Sequence, residues 1–502
     1  MTSKKPEHSA DQVVIVGAGP TGLMLAAELA LAGVACRVLE KRDHQANITR
    51  AFGIGPRTLE LLDARDLAQN LIPNGNKIPQ GQFGARAGFE LTVIDSRFNY
   101  MLIVPQSGTE KMLEEHCREL GVPIERGAQV EGLTQRDDGV DVQVSGPDGS
   151  RTIRASYVVG CDGAHSVVRD AIGVDFIGKR YDTQLTLADV KLTRPPGDTV
   201  FARVSNDGVQ LFIPYGDGYH RSVAWDRQRD KLPIDEPITL KELQDAALRM
   251  TGEDFGITEI RWSTRFLSER KQAAHYRVGR VLLAGDAAHV HSPIGAQGMN
   301  TGIGDAFNLG WKIAAVVHGT APAWLLDTYE SERHPVGEKI LKFTDRLIRM
   351  TLIRSKAALG MIQGAMAMVA KNDALISKPR NLFAGISIAY EPHGQHPHPL
   401  AGKRAPDIEV GGHRLYEALR GGRFVLVDST VDGAAARTAD RRWGDRVQTL
   451  AGRIDSTKKL PALMLVRPDA YVAWASDSVE SGSVAAVLDE WCGAPRAEKV
   501  SP

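Results

Sequence analysis

The stretch Gln12-Val13-Val14-Ile15-Val16-Gly17-Ala18-Gly19-Pro20-Thr21-Gly22 decides the fold. A short apolar run ending in glycine reads as a buried parallel strand. Thr21 to Leu31 then has helical spacing and good helix formers, and Cys36-Arg37-Val38-Leu39-Glu40 reads as a second strand. The product is a βαβ unit whose first turn carries the spacing G-x-G-x-x-G. Gly17 allows the tight turn after the strand, Gly19 lets the backbone approach a pyrophosphate, and Gly22 permits close helix packing. Pro20 and Thr21 sit where that helix begins, with its free N–H groups and positive dipole end aimed at phosphate. Glu40 follows Gly22 by 18 residues, close to the usual spacing for a carboxylate that bonds ribose hydroxyls.

Two distant stretches join the same argument. Cys161-Asp162-Gly163-Ala164-His165-Ser166 follows a strand, Ser156 to Gly160, and precedes a helix start that the Ser166 hydroxyl can cap. Asp162 is expected along the cofactor's pyrophosphate, with Arg169 one turn later as a phosphate or carboxylate partner. Gly285-Asp286-Ala287-Ala288-His289 puts Asp286 after the apolar strand Arg280 to Ala284, about 260 residues beyond the first glycine turn. A carboxylate there can accept hydrogen bonds from ribityl hydroxyls. Pro293-Ile294-Gly295-Ala296-Gln297-Gly298-Met299-Asn300 is glycine-rich and runs into a helical stretch from Met299 to about His318. Its backbone N–H groups and helix N-terminus suit the pyrimidine edge of a flavin, where reduction places negative charge. One extended ligand gripped by both halves of the chain points to FAD rather than to a bare nicotinamide site.

Composition narrows the class. At 502 residues the chain is too long for one core, so two or three domains are expected. Lys+Arg and Asp+Glu both total 61, which removes the electrostatic footprint of a nucleic-acid binder. Cys36, Cys117, Cys161 and Cys492 include no C-x-x-C. Neither a dithiol redox centre nor a cysteine zinc site is expected, and such sparse usage suits a reducing cytoplasm. The polar opening MTSKKPEHSA reads as no signal peptide. Lys356 to Ala370 is too short, and too interrupted by Gln363, to span a bilayer; its Met361, Met366 and Met368 are expected in a helix–helix contact. His289 and His291 lack an accompanying carboxylate or thiol cluster, and His393, His396 and His398 sit among prolines, so no metal is expected.

Leu59 to Leu62 and Thr109 to Leu120 read as helices, and Val130 to Val159 as a β-meander with turns at Asp137-Asp138-Gly139 and Gly146-Pro147-Asp148-Gly149. Tyr181 to Arg265 alternates strands and turns as a separate sheet. The long helical stretch from Ala323 to about Lys371 is expected to break at Pro335. Glu391 to Pro399 reads as a linker into a small C-terminal α/β unit, with strands at Arg423–Asp428, Ala462–Val466 and Tyr471–Ala473 and a helix near Ala485–Trp491. The expected domain ranges are 11–180 and 277–390 for cofactor binding, 181–276 for a substrate sheet, and 400–497 at the C-terminus.

GAGPTGLMLAAELALAG, VVGCDGAHSVVR, RVLLAGDAAHVHSPIGAQGMNTGIGDAFNLGWKIA and the late LVRPDAYVAW together resemble a known family. It is the class A, single-component FAD-dependent aromatic monooxygenases of the para-hydroxybenzoate hydroxylase group, and above all the larger members that hydroxylate aromatic polyketides. The likeness covers nearly the whole chain. It implies an α/β fold class: a Rossmann-like FAD-binding domain with an inserted β-sheet substrate domain and a C-terminal thioredoxin-like domain.

By position, the resemblance implies that Glu40 and Lys41 meet the adenosine and that Arg50 approaches the cofactor or substrate edge. It implies that Gln106 contacts the flavin side chain, and that Asp162 and Asp286 are acidic cofactor contacts. Pro293, Gly295, Gly298, Met299 and Asn300 would form the loop beside the isoalloxazine, with Pro293, Gly295 and Arg50 nearest the chemistry. Ala296 departs from relatives that often carry glycine there.

The implied reaction uses NADPH to reduce FAD and O2 to form a C4a-hydroperoxyflavin that hydroxylates a polycyclic aromatic, polyketide-type substrate. Baeyer–Villiger oxygenation and antibiotic-inactivating hydroxylation remain alternatives on the same scaffold. Phe89, Phe212, Pro214, Tyr215 and Trp225, with Pro293, are the candidate lining of a pocket between the sheet and FAD domains. The extra C-terminal domain makes a homodimer a candidate assembly, and no membrane or nucleic-acid partner is expected.

Overall fold

The computed structural model describes residues 12–45, 50–83, 87–229, 231–292, 295–351, 353, 360–361, 364–365, 368–369, 372–393, 397–457, 459–478 and 481–496. Val13–Val16 forms a strand buried along its whole length, and its neighbours explain why both of its faces are apolar. It lies inside a six-stranded sheet ordered Arg277–Val278, Val281–Leu283, Tyr157–Gly160, Val13–Val16, Cys36–Glu40, Ile124–Arg126. Every neighbouring pair is parallel except the hairpin between Arg277–Val278 and Val281–Leu283. A parallel sheet needs cover on both faces. Helices Pro20–Leu31 and Gly298–Val317 pack on one another within that cover, so closely that a Cβ on Gly310 would stand 2.5 Å from Glu28 Cβ.

Two glycines of the first turn are required by close approach. Gly17 has φ +107°, and a Cβ there would lie 2.4 Å from the Cys161 carbonyl oxygen. A Cβ on Gly22 would lie 2.0 Å from the Gly17 carbonyl oxygen. The turn after the first strand therefore nests against the turn after Tyr157–Gly160. This brings two sequence motifs into one site.

An eight-stranded sheet lies beside this core, ordered His289–Val290, Ile257–Ala273, Phe176–Leu192, Tyr219–Asp226, Gly208–Pro214, Val200–Val204, Gln80–Phe83, Ala87–Glu90. Two of its strands run 17 residues each, and His289–Val290 ties the sheet directly to the Asp286 turn. The meander Gln129–Arg136, Gly139–Gly146, Gly149–Ala155 is antiparallel throughout.

Near the C-terminus a four-stranded sheet is ordered Val447–Ala451, Phe424–Asp428, Leu463–Val466, Val472–Ser476. Its first pair is parallel and the other two are antiparallel. Helices Ala434–Trp443 and Ser481–Cys492 complete it.

Two expectations need correction. Helix Asp327–Thr351 runs through Pro335 instead of breaking there. Tyr329, Glu332 and Arg333, on the two turns before it, are buried and hydrogen-bonded to other elements, and these anchors offset the missing backbone bond. Met361 and Met368 are 71% and 72% exposed, so they do not line a helix–helix contact; Met366 lies outside the described residues. Among the described residues, no helix is long and apolar enough to cross a membrane.

Candidate functional site

The carboxyl ends of the parallel strands and part of the eight-stranded sheet enclose a cleft of about 740 Å³. Open α/β sheets bind ligands at such strand ends. Gly17, Gly19, Pro20 and Thr21 line it, as do Glu40, Lys41, Arg50, Gln106, Asp162, Asp286, Gly298 and Met299. Nothing lies within 4 Å of where a Gly19 Cβ would stand, so the backbone there is open to a ligand. Gly22 lies behind, where its role is the close packing already described.

Two helix N-termini open on this cleft. Pro20–Leu31 starts after Gly19 and Gly298–Val317 after Gln297; neither has a side-chain cap or an acidic residue in its first turn. Their unsatisfied N–H groups and positive dipole ends are available to an electron-rich ligand at two separate points. The short helix Val167–Ala171 contrasts with them: Ser166 Oγ accepts from the Arg169 N–H at 3.0 Å.

The acidic residues are prepared differently. Glu40 is 4% exposed and accepts from the N–H of Ala18 at 2.8 Å and from the N–H and Nε of Arg42 at 3.0 and 2.8 Å. Burial works to raise its pKa, but the bonds from Arg42 and Ala18 outweigh it and leave the carboxyl below the ordinary range. Asp162 accepts from Ser166 Oγ and from the Val168 N–H at 3.2 Å, and burial pushes its pKa up. Asp286 is exposed to the cleft, yet the surrounding protein raises its pKa against the opposing pull of His289 and Arg50.

Other expected residues brace the site. Gln106 Oε1 accepts from the Ala51 N–H at 2.9 Å, holding the Arg50 loop to the helix Gln106–Glu119. Asn300 Oδ1 accepts from the Gly55 N–H at 2.8 Å while its Nδ2 donates to the carbonyls of Gly53 and Ala296 at 2.9 and 2.6 Å. It clamps the loop to the helix start and does not line the cleft. Gly295 takes φ +99° and its neighbour Ala296 φ +53°. Pro293 lies outside the described residues. Arg169 is corrected from ligand partner to structural pin: it donates to the carbonyls of Ala287 and Ala164 at 3.2 Å each and covers the Phe176 ring.

The expected aromatic lining is also corrected. Phe212 packs with Phe201 and Phe255, Trp225 with Leu185 and Val209, and Pro214 and Tyr215 are buried at a strand end. None of these four lines the cleft: Tyr215 and Trp225 pack behind the wall, in clusters that also hold Phe266, and along a strand only alternate side chains can reach one face. For Phe89 the backbone alone is described, opposite Gly81. Phe52, Leu187, Phe266, Leu267 and Ala296 supply the apolar wall.

The sequence reading missed a buried network. Asp305, within helix Gly298–Val317, accepts from the Gly285 N–H at 3.0 Å and from Arg333 Nε at 2.7 Å, and lies 2.6 Å from His289 Nε2. Burial raises the Asp305 pKa, but His289 and Arg333 more than reverse this and hold it at about 2. A carboxyl depressed from 3.8 contributes stability that is fully present above its unfolded pKa and is lost as pH falls through the folded one, about 2 kcal/mol in all. Asp305→Asn should therefore flatten the fall in urea midpoint between about pH 5 and about pH 2. An equally steep fall in the variant would remove Asp305 from that role.

The comparisons with known proteins agree with this geometry. Residues 10–344 match the family described as "FAD binding domain", and residues 398–495 match "Aromatic-ring hydroxylase, C-terminal". A rifampicin monooxygenase of Streptomyces venezuelae is 38% identical, with 97% of this chain and 99% of that one covered. A 12-dehydrotetracycline 5-monooxygenase/anhydrotetracycline 6-monooxygenase of Streptomyces rimosus is 36% identical, covering 96% and 99%. The solved structure of CabE, an aromatic hydroxylase from angucycline biosynthesis, superposes with a TM-score of 0.85 at 37% identity, covering 97% and 100%. With both family matches, full-length relatives and a shared fold, the chain belongs to the FAD-dependent aromatic-ring monooxygenases.

Proposed function

We propose that this monooxygenase uses NADPH and O2 to hydroxylate a polycyclic aromatic substrate of polyketide type. The observation that carries the reading is the single continuous cleft, which runs from Glu40 past two uncapped helix N-termini to the apolar wall of Phe52, Leu187 and Phe266. In this reading residues 11–180 and 277–390 bind FAD, 181–276 supply the substrate wall, and 400–497 form the C-terminal unit. Gly17, Gly19 and the Pro20–Thr21 helix start take the pyrophosphate. Glu40 and Lys41 take the adenosine end, and Asp162 and Asp286 hold cofactor hydroxyls. Gly298 and Met299 present backbone N–H groups to the flavin's pyrimidine edge, with Gly295 and Pro293 beside the ring and Asn300 and Gln106 bracing it.

Bound FAD supplies the electron transfer from NADPH and the activation of O2. The chain's own task is to orient the substrate, exclude water and support charge on the cofactor. The similarity to a rifampicin monooxygenase favours one second reading, inactivation of an antibiotic by the same chemistry.

The test is NADPH consumption by the purified holoenzyme with a panel of polycyclic phenols, ketones and aromatic antibiotics, followed by product mass and structure. Faster NADPH consumption with a hydroxylated ring as product is expected. A lactone product would replace hydroxylation by Baeyer–Villiger oxygenation, and a product with no added oxygen for every compound would overturn the reading.

A further inference from the structure

Behind the loop at the start of helix Gly298–Val317 lies a second cavity, of about 30 Å³. That is room for roughly one or two molecules the size of water. Leu61, Phe307, Ile340, Phe383, Ala384 and Ile388 give it an apolar face. It shares a wall with the cleft: Ala296, Gln297, Gly298 and Met299 line the cleft, while Gln297, Asn300 and Thr301 line the cavity. Gln297 thus stands between the two spaces. It is buried, and its Nε2 donates to the carbonyls of Gly295 at 2.8 Å and Phe383 at 3.2 Å.

Water finds little to hold it there. Arg333 donates to Asp305 at 2.7 Å, to Tyr390 Oη at 3.1 Å and to the Thr301 carbonyl at 3.0 Å. Arg57 Nη1 donates to Glu60 and Tyr416, and its Nη2 to the carbonyls of Asp469 and Ala470. The Asn300 amide is held by the loop, and Thr301 Oγ1 donates to the Gln297 carbonyl at 2.9 Å. Among the described residues, Arg57 Nε is the one buried side-chain donor of this lining left without a partner. A buried water calls for about three hydrogen bonds, so one free donor is a weak hold. A small apolar molecule needs none.

We propose that this cavity is a dioxygen site, from which O2 crosses the Gln297 wall into the cleft. The idea rests on the reading above that places the isoalloxazine beside the same loop. O2 is neutral and apolar, so it leaves water for an apolar cavity without losing hydrogen bonds. Phe383, Gly385 and Ile388 of the lining are half-buried, so dissolved gas has a short way in. Once cofactor and substrate fill the cleft, their bulk closes that side to a third reactant. The wall shared with the cavity then offers O2 a separate entrance, and the substrate keeps its place while O2 arrives.

Crystals of the oxidised FAD holoenzyme under xenon pressure test the site, because xenon occupies apolar cavities that stay dry. A xenon peak bounded by Gln297, Phe307 and Ile388 is expected. No peak, or an ordered water that xenon does not displace, would overturn the proposal. The path is tested by rapid mixing of O2 with the reduced holoenzyme, 9-phenanthrol being bound in the cleft. Ala384 lines the cavity and not the cleft, so Ala384→Leu fills the cavity alone. It should slow flavin reoxidation about tenfold and leave anaerobic reduction by NADPH unchanged. An unchanged O2 rate sinks the path, and so does an equal loss in both half-reactions, which marks a general distortion. If Ala384→Leu fails to fold, Ile388→Phe takes its place; if neither folds, the xenon result decides. Failure of 9-phenanthrol to bind wild type counts against the substrate reading, and the xenon result then decides the site by itself.

Discussion

Asp286→Ala should yield a folded protein that purifies with little or no yellow cofactor. Asp286 sits in the turn Gly285–Ala287 directly after the strand Val281–Leu283, with its carboxylate on the cleft. The influences on its pKa are the protein packed around the cleft and the charges of His289, Arg50 and Asp305. No hydrogen bond to its oxygens comes from the described residues, which leaves them available to the cofactor's hydroxyls. A hydrogen bond to a charged group contributes about 1.5–3 kcal/mol, so FAD should bind about 10- to 100-fold more weakly.

Glu40→Ala should behave differently, because the Glu40 carboxylate already holds Ala18 and Arg42. Removing it leaves buried donors unpaired and should lower the stability of the apoprotein as well as FAD binding. The measurements are flavin absorbance per mole of protein and the urea midpoint of each apoprotein. A full complement of FAD in Asp286→Ala, or an apoprotein as weakened as Glu40→Ala, would refute the assignment.

The contrast between these two carboxylates marks how far the sequence could be read. The first βαβ unit, the Asp286 turn and the helix after Gly298 are legible because each is local: an apolar strand, glycines where the backbone must turn or approach, then helical spacing. Three of the four strands of the C-terminal sheet are legible for the same reason, but Val447–Ala451 is not. The environment of His289 is not, since its carboxylate comes from Asp305, 16 residues on, and Arg333 from another helix. No spacing announces partners that meet only when three elements pack.

The substrate wall fails for a related reason. Period-two alternation says that Phe212 and Trp225 share strands with two faces, but not which face meets the cleft. Phe52 and Phe266 line it, and they come from a loop and from a strand of the inserted sheet. Pro335 was misread because a propensity rule sees one missing backbone bond and not the buried anchors of Glu332 and Arg333.

Arg467→Met should be the most destabilising single change outside the cleft. Arg467 belongs to the C-terminal unit and is buried, donating to Glu332 at 2.7 and 2.8 Å and to Asp469 through Nε at 3.0 Å. Lys312 completes the group, 2.9 Å from both Glu332 Oε2 and Asn308 Oδ1. Two cations face two carboxylates, and the group joins the C-terminal unit to helices Gly298–Val317 and Asp327–Thr351. Burial pulls the Lys312 pKa down to about 8 against the Glu332 charge, so this lysine alone is a weak counterion for two carboxylates. Breaking a buried pair by removing one partner costs about 3–5 kcal/mol, because a charge is left buried and uncompensated. The urea midpoint should fall accordingly, and protease should cut more readily around residues 391–399. Adding Asp469→Asn restores the balance to one cation and one carboxylate, so the double variant should recover part of the loss. If the double variant is no more stable than Arg467→Met, the arginine acts through packing against Trp311, Tyr390 and Tyr471 rather than through charge.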